Sequence, residues 1–144
     1  MSDTAKPAPL FNKLALIGIG LIGSSIALRA KRDGLVRSVV AATRSQKTAD
    51  TANRIGVVDH CGTDLAAAVK DADLVIICTP VGACGEAMKT IASSMKPGAI
   101  VSEVGSVKQA VIRDMRPHVP AGVHFVPAHP IAGTEHSGPE AGFP

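Results

Sequence analysis

Short apolar runs alternate with amphipathic stretches along almost the whole chain. Leu14-Ala15-Leu16-Ile17 is a β-type run, and residues 21–33 follow it as a helix stopped by Gly34. Val36–Ala42 reads as a second strand and Gln46–Ile55 as a helix ending at Gly56, with Val57-Val58 as a short third strand. Asp64–Lys70 is a short helix with Asp64 placed to cap it. Asp73–Pro80 contains five consecutive apolar residues, Leu74 to Cys78, the pattern of a strand buried on both faces. A helix over residues 82–95 closes at Lys96-Pro97-Gly98, and Ala99–Val104 is a fifth strand. Ser106–Met115 is a helix opened by a serine and stopped before Pro117, and Val123–Val126 is a sixth strand. The βαβα rhythm predicts an α/β fold of Rossmann type, a doubly wound, mostly parallel sheet with helices on both faces. The periodicity stops at His129. From there to Pro144 the chain holds three Pro and three Gly, and we expect the natural chain to continue past this loop, the alternative being a short protein with a disordered tail.

The turn between the first strand and first helix carries chemistry. Gly18-Ile19-Gly20-Leu21-Ile22-Gly23 fits G-x-G-x-x-G in the strand–turn–helix setting that makes the pattern a dinucleotide-binding fingerprint. Gly18 permits the tight turn, Gly20 lets a pyrophosphate approach the backbone, and Gly23 lets helix and strand pack closely. The free N–H groups at Leu21 and Ile22 and the positive end of the helix dipole then face the phosphates.

Other site residues are expected at the carboxyl ends of the strands, where open α/β sheets bind ligands. After the second strand comes Thr43-Arg44-Ser45. An acidic residue here would select NAD through the adenine ribose. Thr43 stands in that place, and Arg44 can fork onto a 2′-phosphate with Ser45 as a further donor. This favours NADP, with NAD possible. Thr79 and Pro80 end the fourth strand beside the expected nicotinamide ribose. Ser106 is both a candidate helix cap and a hydroxyl at the sheet edge. Lys108 could attract an anionic substrate or be a solvated helix residue. His129 follows the sixth strand and precedes a proline that keeps it extended. An imidazole there suits removal of a hydroxyl proton as hydride leaves the same carbon. His60, His118, His124 and His136 lack such a setting.

Composition narrows the classes. The 144 residues suit one domain of 12–128 behind a loose tail of 1–11. The chain is 46% hydrophobic with a mean hydropathy of +0.25, but it has three Phe and no Tyr or Trp. That lack of aromatics and a scattered net charge of +3 exclude a stacking or basic-stripe nucleic-acid interface. No apolar run approaches the roughly 18 residues of a membrane span. Three Cys without metal-type spacing read as reduced thiols in a cytoplasmic protein with no metal site, Cys78 as a small core residue.

Three segments together resemble the prephenate/arogenate (cyclohexadienyl) dehydrogenases of tyrosine biosynthesis. They are Gly-Ile-Gly-Leu-Ile-Gly-Ser-Ser-Ile-Ala at 18–27, Glu-Val-Gly-Ser-Val-Lys at 103–108 and His-Pro-Ile-Ala-Gly-Thr-Glu-His-Ser-Gly at 129–138. The resemblance covers about residues 12–144, the family's cofactor domain. It implies hydride transfer from the ring carbon bearing the hydroxyl to the nicotinamide, with loss of carbon dioxide and aromatisation of the ring. It implies that His129 engages the ring hydroxyl, that Ser106 contacts this histidine or the hydroxyl, and that Thr134 and Glu135 lie near substrate. Glu103 stands where Asp is frequent, which implies a modest shift in loop geometry. The family's helical C-terminal domain supplies the homodimer interface and much of the pocket for prephenate or arogenate. Alternatives are a β-hydroxyacid or pyrroline-carboxylate type reductase, and a stand-alone dinucleotide-binding regulatory module. The first would leave His129–Glu135 unexplained.

Overall fold

A computed structural model of the chain describes residues 6–131 and 137–144. Six strands form one parallel sheet: β1 (Phe11–Ile17), β2 (Val36–Ala42), β3 (His60–Gly62), β4 (Leu74–Ile77), β5 (Ile100–Glu103) and β6 (His124–Pro127). Their spatial order is β3-β2-β1-β4-β5-β6, the doubly wound arrangement that the alternation predicts. The order reverses between β1 and β4, where the registers Leu14↔Leu74 and Ile17↔Ile77 bring the two strands side by side.

The helices are α1 (Leu21–Arg32), α2 (Gln46–Ile55), α3 (Leu65–Val69), α4 (Cys84–Ile91) and α5 (Lys108–Met115). Strand periodicity sorts the core into two layers. Leu14 and Leu16 of β1 point to the face covered by α1 and α2, where Ala27, Ala30, Ala49 and Ala52 pack against Val39 and Ala41. Ala15 and Ile17 point the other way, under Val69 of α3, Met88 and Ile91 of α4 and Val111 and Met115 of α5. The last four residues of β1 are at most 1% exposed, as a strand buried on both faces requires. The alanines let α1 and α2 sit close to the sheet.

Boundaries move where tertiary contacts override local pattern. The third strand is His60–Gly62 rather than Val57-Val58. Asp59 fixes this register, its N–H donating to the Val39 carbonyl at 2.8 Å and its carboxylate accepting from the Val39 N–H at 2.7 Å. Asn53 then holds Cys61 by both backbone groups, at 2.8 Å each. Val57 and Val58 serve as buried plugs against α1 and α2 instead. The expected helix over 82–95 is a 3₁₀ turn at Val81–Ala83, α4, and a second 3₁₀ turn at Ala92–Ser94. Asp64 does cap α3, accepting from the Ala67 N–H at 3.0 Å. Asp73 ties the sheet's lower edge together. Its carboxylate accepts from the backbone of Asn12 and Lys13 and pairs with Lys96, and the Lys96 hydrogen bond, aided by the Lys13 amide, holds its carboxyl below the usual range.

Candidate dinucleotide site

At the β1/β4 reversal the chain leaves a cavity of ≈ 450 Å³ at the carboxyl ends of the strands. Gly18 and Gly20 form its floor, with Thr43 and Arg44 on one side and Thr79 and Pro80 on the other. These six residues are brought together from three loops, as the sequence reading expects. Among the wall residues that sequence reasoning missed are Thr48, Leu65, Ala83 and Gly138. Each faces the cavity only because of how α2, α3, the turn before α4 and the last segment pack, which no local pattern reports.

The three glycines act through three different constraints. Gly18 has φ +96°, and a Cβ there would stand 2.8 Å from the Cys78 carbonyl oxygen. A Cβ on Gly23 would stand 2.5 Å from the Gly18 carbonyl oxygen, so α1 rests directly on the turn. A Cβ on Gly20 would meet nothing within 4 Å. The protein therefore has no packing reason for glycine at position 20, and the space that a side chain would take is open cavity. A pyrophosphate fits this donor set. Gly20 caps α1 without a side-chain bond, and the first turn carries no acidic residue, leaving its N–H groups for an anion. Leu21 and Ile22 contribute only backbone here. Their side chains line a second cavity of ≈ 430 Å³ with Phe11, Ile26, Leu74 and Ile76, which is almost wholly apolar.

Arg44 is exposed at the cavity rim, free of any ion pair among the described residues. Ser45 is the N-cap of α2, its hydroxyl oxygen accepting from the Thr48 N–H at 3.2 Å. Its hydroxyl hydrogen is left to donate.

The second cluster lies along the same edge, beyond β5 and β6. Glu103 pairs in register with Pro127, so Ser106, three residues on, and His129, two residues on, leave neighbouring strand ends. Both are exposed, and neither lines the cavity. Ser106 is not the helix cap: α5 starts at Lys108 with Val107 in the cap position and no side-chain bond, so the Ser106 hydroxyl is not spent on the helix. Thr134 and Glu135 lie outside the described residues.

Glu103 is the unexpected member of the cluster. Its side chain is fully buried. One carboxylate oxygen accepts from the Gly105 N–H at 2.7 Å, and the other accepts from Lys108 and from the Ala128 N–H at 3.2 Å. The carboxylate thus joins the loop that carries Ser106 to the residue before His129. Lys108 is neither a free anion receptor nor a solvated helix residue, because its ammonium is bound to Glu103. A run of Glu-Val-Gly-Ser-Val-Lys could have signalled this pair through its spacing, but the link to Ala128 crosses 25 residues.

The thiols are quiet. Burial pushes Cys78 up to about 12 and Cys61 up to about 11. Burial also raises Cys84, against a hydrogen bond with Thr79 that lowers it. Because the thiolate is the reactive form, iodoacetamide at pH 8 should label Cys61 and Cys78 at least about a hundredfold more slowly in the folded chain than in urea, and Cys84 more slowly as well. Fast labelling of the folded chain would contradict the burial described here.

Comparison with known proteins agrees with this fold. Residues 26–144 match the family model described as prephenate dehydrogenase, nucleotide-binding domain. A cyclohexadienyl dehydrogenase from Zymomonas mobilis is 39% identical over 134 residues, covering 93% of this chain and 45% of that protein. The crystal structure of prephenate dehydrogenase from A. aeolicus in complex with hydroxyphenyl propionate and NAD+ superposes with a TM-score of 0.82 at 27% identity, covering 92% of this chain and 46% of that one. Synechocystis arogenate dehydrogenase gives 0.80 at 30% identity, with 90% and 45% covered. The chain thus spans somewhat less than half the length of these relatives. Sheet order, glycine turn and family match agree, and the chain belongs to the prephenate dehydrogenase family, in the region of its nucleotide-binding domain.

Proposed function

We propose that this chain is the NAD(P)-binding part of a dehydrogenase that oxidatively decarboxylates prephenate, arogenate or both in tyrosine biosynthesis. The observation that carries the reading is the cavity at the β1/β4 reversal, floored by Gly18 and Gly20 and rimmed by Arg44. When bound there, the nicotinamide accepts the hydride. The residues supply the rest. The N–H groups at the start of α1 would hold the pyrophosphate, and Thr79 and Pro80 would border the nicotinamide ribose. Thr43, Arg44 and Ser45 hold the adenosine ribose and its 2′-phosphate, which favours NADP. His129 takes the ring hydroxyl proton as hydride leaves that carbon, and the ring loses carbon dioxide as it becomes aromatic. Ser106 orients the histidine or the hydroxyl, and Thr134 and Glu135 contact the ring substituents.

In this proposal residues 12–128 are the cofactor domain and 129–144 the active-site loop. The rest of the pocket and a homodimer interface come from the helical C-terminal domain that the resemblance implies, and the protein works in the cytoplasm. Among the described residues no helix is long and apolar enough to cross a membrane. The 144-residue chain should therefore bind cofactor yet turn over prephenate poorly or not at all, and full steady-state turnover by it would contradict the proposal.

Arg44→Asp tests the cofactor assignment. Losing one forked, charge-assisted contact removes about 1.5–3 kcal/mol. NADP+ affinity should fall by at least about tenfold, and NAD+ affinity by much less. Equal losses would remove Arg44 from the 2′-phosphate site.

A further inference from the structure

The last eight residues double back onto the glycine turn. Gly138 lines the dinucleotide cavity. Its φ of +85° with ψ of 167° belongs to glycine alone, and a Cβ there would meet nothing within 4 Å. The 3₁₀ turn Pro139–Ala141 then packs against both α1 and α2, with Pro139 buried. Glu140 pairs with Arg54 of α2 at 3.1 Å. Gly142 lies against Ser24 so tightly that a Cβ would overlap the Ser24 Cβ and stand 3.0 Å from its carbonyl carbon. The Phe143 N–H donates at 3.1 Å to the Ser25 hydroxyl, which itself donates at 2.8 Å to the Leu21 carbonyl in the first turn of α1.

These contacts converge on the helix turn that would hold the pyrophosphate, and on the helix whose start carries Ser45 and Thr48. We propose that Gly138–Phe143 is a fixed outer wall of the dinucleotide site, which positions the first turn of α1 and closes the adenosine side of the cavity. Gly138 borders the ligand directly. Gly142, Glu140 and Arg54 are positioning residues that act through α1 and α2. The inference rests on the dinucleotide reading above. It goes beyond the assignment of 129–144 as the active-site loop, because it gives this part of the loop a role in cofactor affinity rather than in the chemistry of the ring. Both core clusters and all six strands are built from residues before 128, so the wall can be displaced without removing the sheet.

The test is calorimetric titration of the 144-residue chain and its variants with NADP+ and NAD+. Gly142→Val cannot keep its contact with Ser24, and we expect both dinucleotides to bind at least about tenfold more weakly, which is 1.4 kcal/mol. Glu140→Arg and Arg54→Glu should each weaken binding by about two- to fivefold, the range of an exposed ion pair. The double variant, with the pair reversed, should recover affinity. Simple long-range attraction predicts a different outcome, because Glu140→Arg adds positive charge and would then tighten binding of these anions. Tighter or unchanged binding by Glu140→Arg overturns the wall. So does Gly142→Val with wild-type affinity; if that variant does not fold, the charge-reversal set decides. Should the wild-type chain bind neither dinucleotide, the cofactor reading itself fails and the wall with it.

Discussion

Replacing Gly20 with alanine is expected to leave the fold intact and to cost dinucleotide affinity about tenfold or more. The added methyl meets no protein atom within 4 Å, and Gly20 sits at φ −86° in extended backbone, where alanine is allowed. Exchanging glycine for alanine at a helix N-cap should cost no more than about 1 kcal/mol. The methyl projects into the space where the pyrophosphate must approach. Gly23→Ala is expected to fail in the opposite way. Its methyl would stand 2.5 Å from the Gly18 carbonyl oxygen, a backbone atom that cannot swing aside. Helix α1 must lift off β1, costing about 1–3 kcal/mol or more by overpacking, and binding falls because the helix start has moved. Thermal unfolding and calorimetry on the two variants separate the cases. A Gly20→Ala chain that binds as well as wild type would mean that the open space above Gly20 is not the phosphate site.

The second large effect is expected at Glu103. Glu103→Ala deletes a buried carboxylate that serves Gly105, Lys108 and Ala128 at once. The buried Gly105 N–H loses its acceptor, and a cavity opens beside Val111, whose methyl lies close to Gly105. Lys108 is one-third exposed and can turn to water, which limits the damage. Breaking a buried, hydrogen-bonded pair from one side costs about 3–5 kcal/mol, and this escape puts the expected loss near the lower end. Glu103→Asp keeps the charge with a shorter reach and should recover part of the loss. Glu103→Gln keeps the shape but sets an amide or a neutral oxygen against the Lys108 ammonium, and should fall between Ala and wild type. Urea unfolding of the three variants checks the order. Equal stability of Glu103→Ala and wild type would show that the carboxylate is not holding the two loops.

The layered architecture was legible because short continuous apolar runs and short amphipathic helices alternate up to His129. Leu74–Cys78 read as a doubly buried strand, and the strand–glycine–helix context marked the turn after β1. What was not legible depends on distant partners. His60-Cys61-Gly62 carries no strand signal and becomes one because Asn53 and Asp59 pin it. The apolar pair Val57-Val58, which looks the better strand, is spent on filling the space beneath α1 and α2. Ser106 looked like a cap from its place before a helix, yet the helix begins two residues later. Glu103 and Lys108 looked like separate charges, and only the fold shows them paired, with Glu103 also reaching Ala128 beyond β6. Gly138 and Gly142 looked like loop punctuation, and their meaning comes from the helices they touch.

The most direct measurement of the central claim is parallel calorimetric titration of the 144-residue chain with NADP+ and NAD+. With neither Trp nor Tyr in the chain, intrinsic fluorescence offers little signal. The account predicts saturable binding of one molecule per chain, with NADP+ the tighter of the two. Binding of neither, by a chain whose thermal unfolding is cooperative, would contradict it.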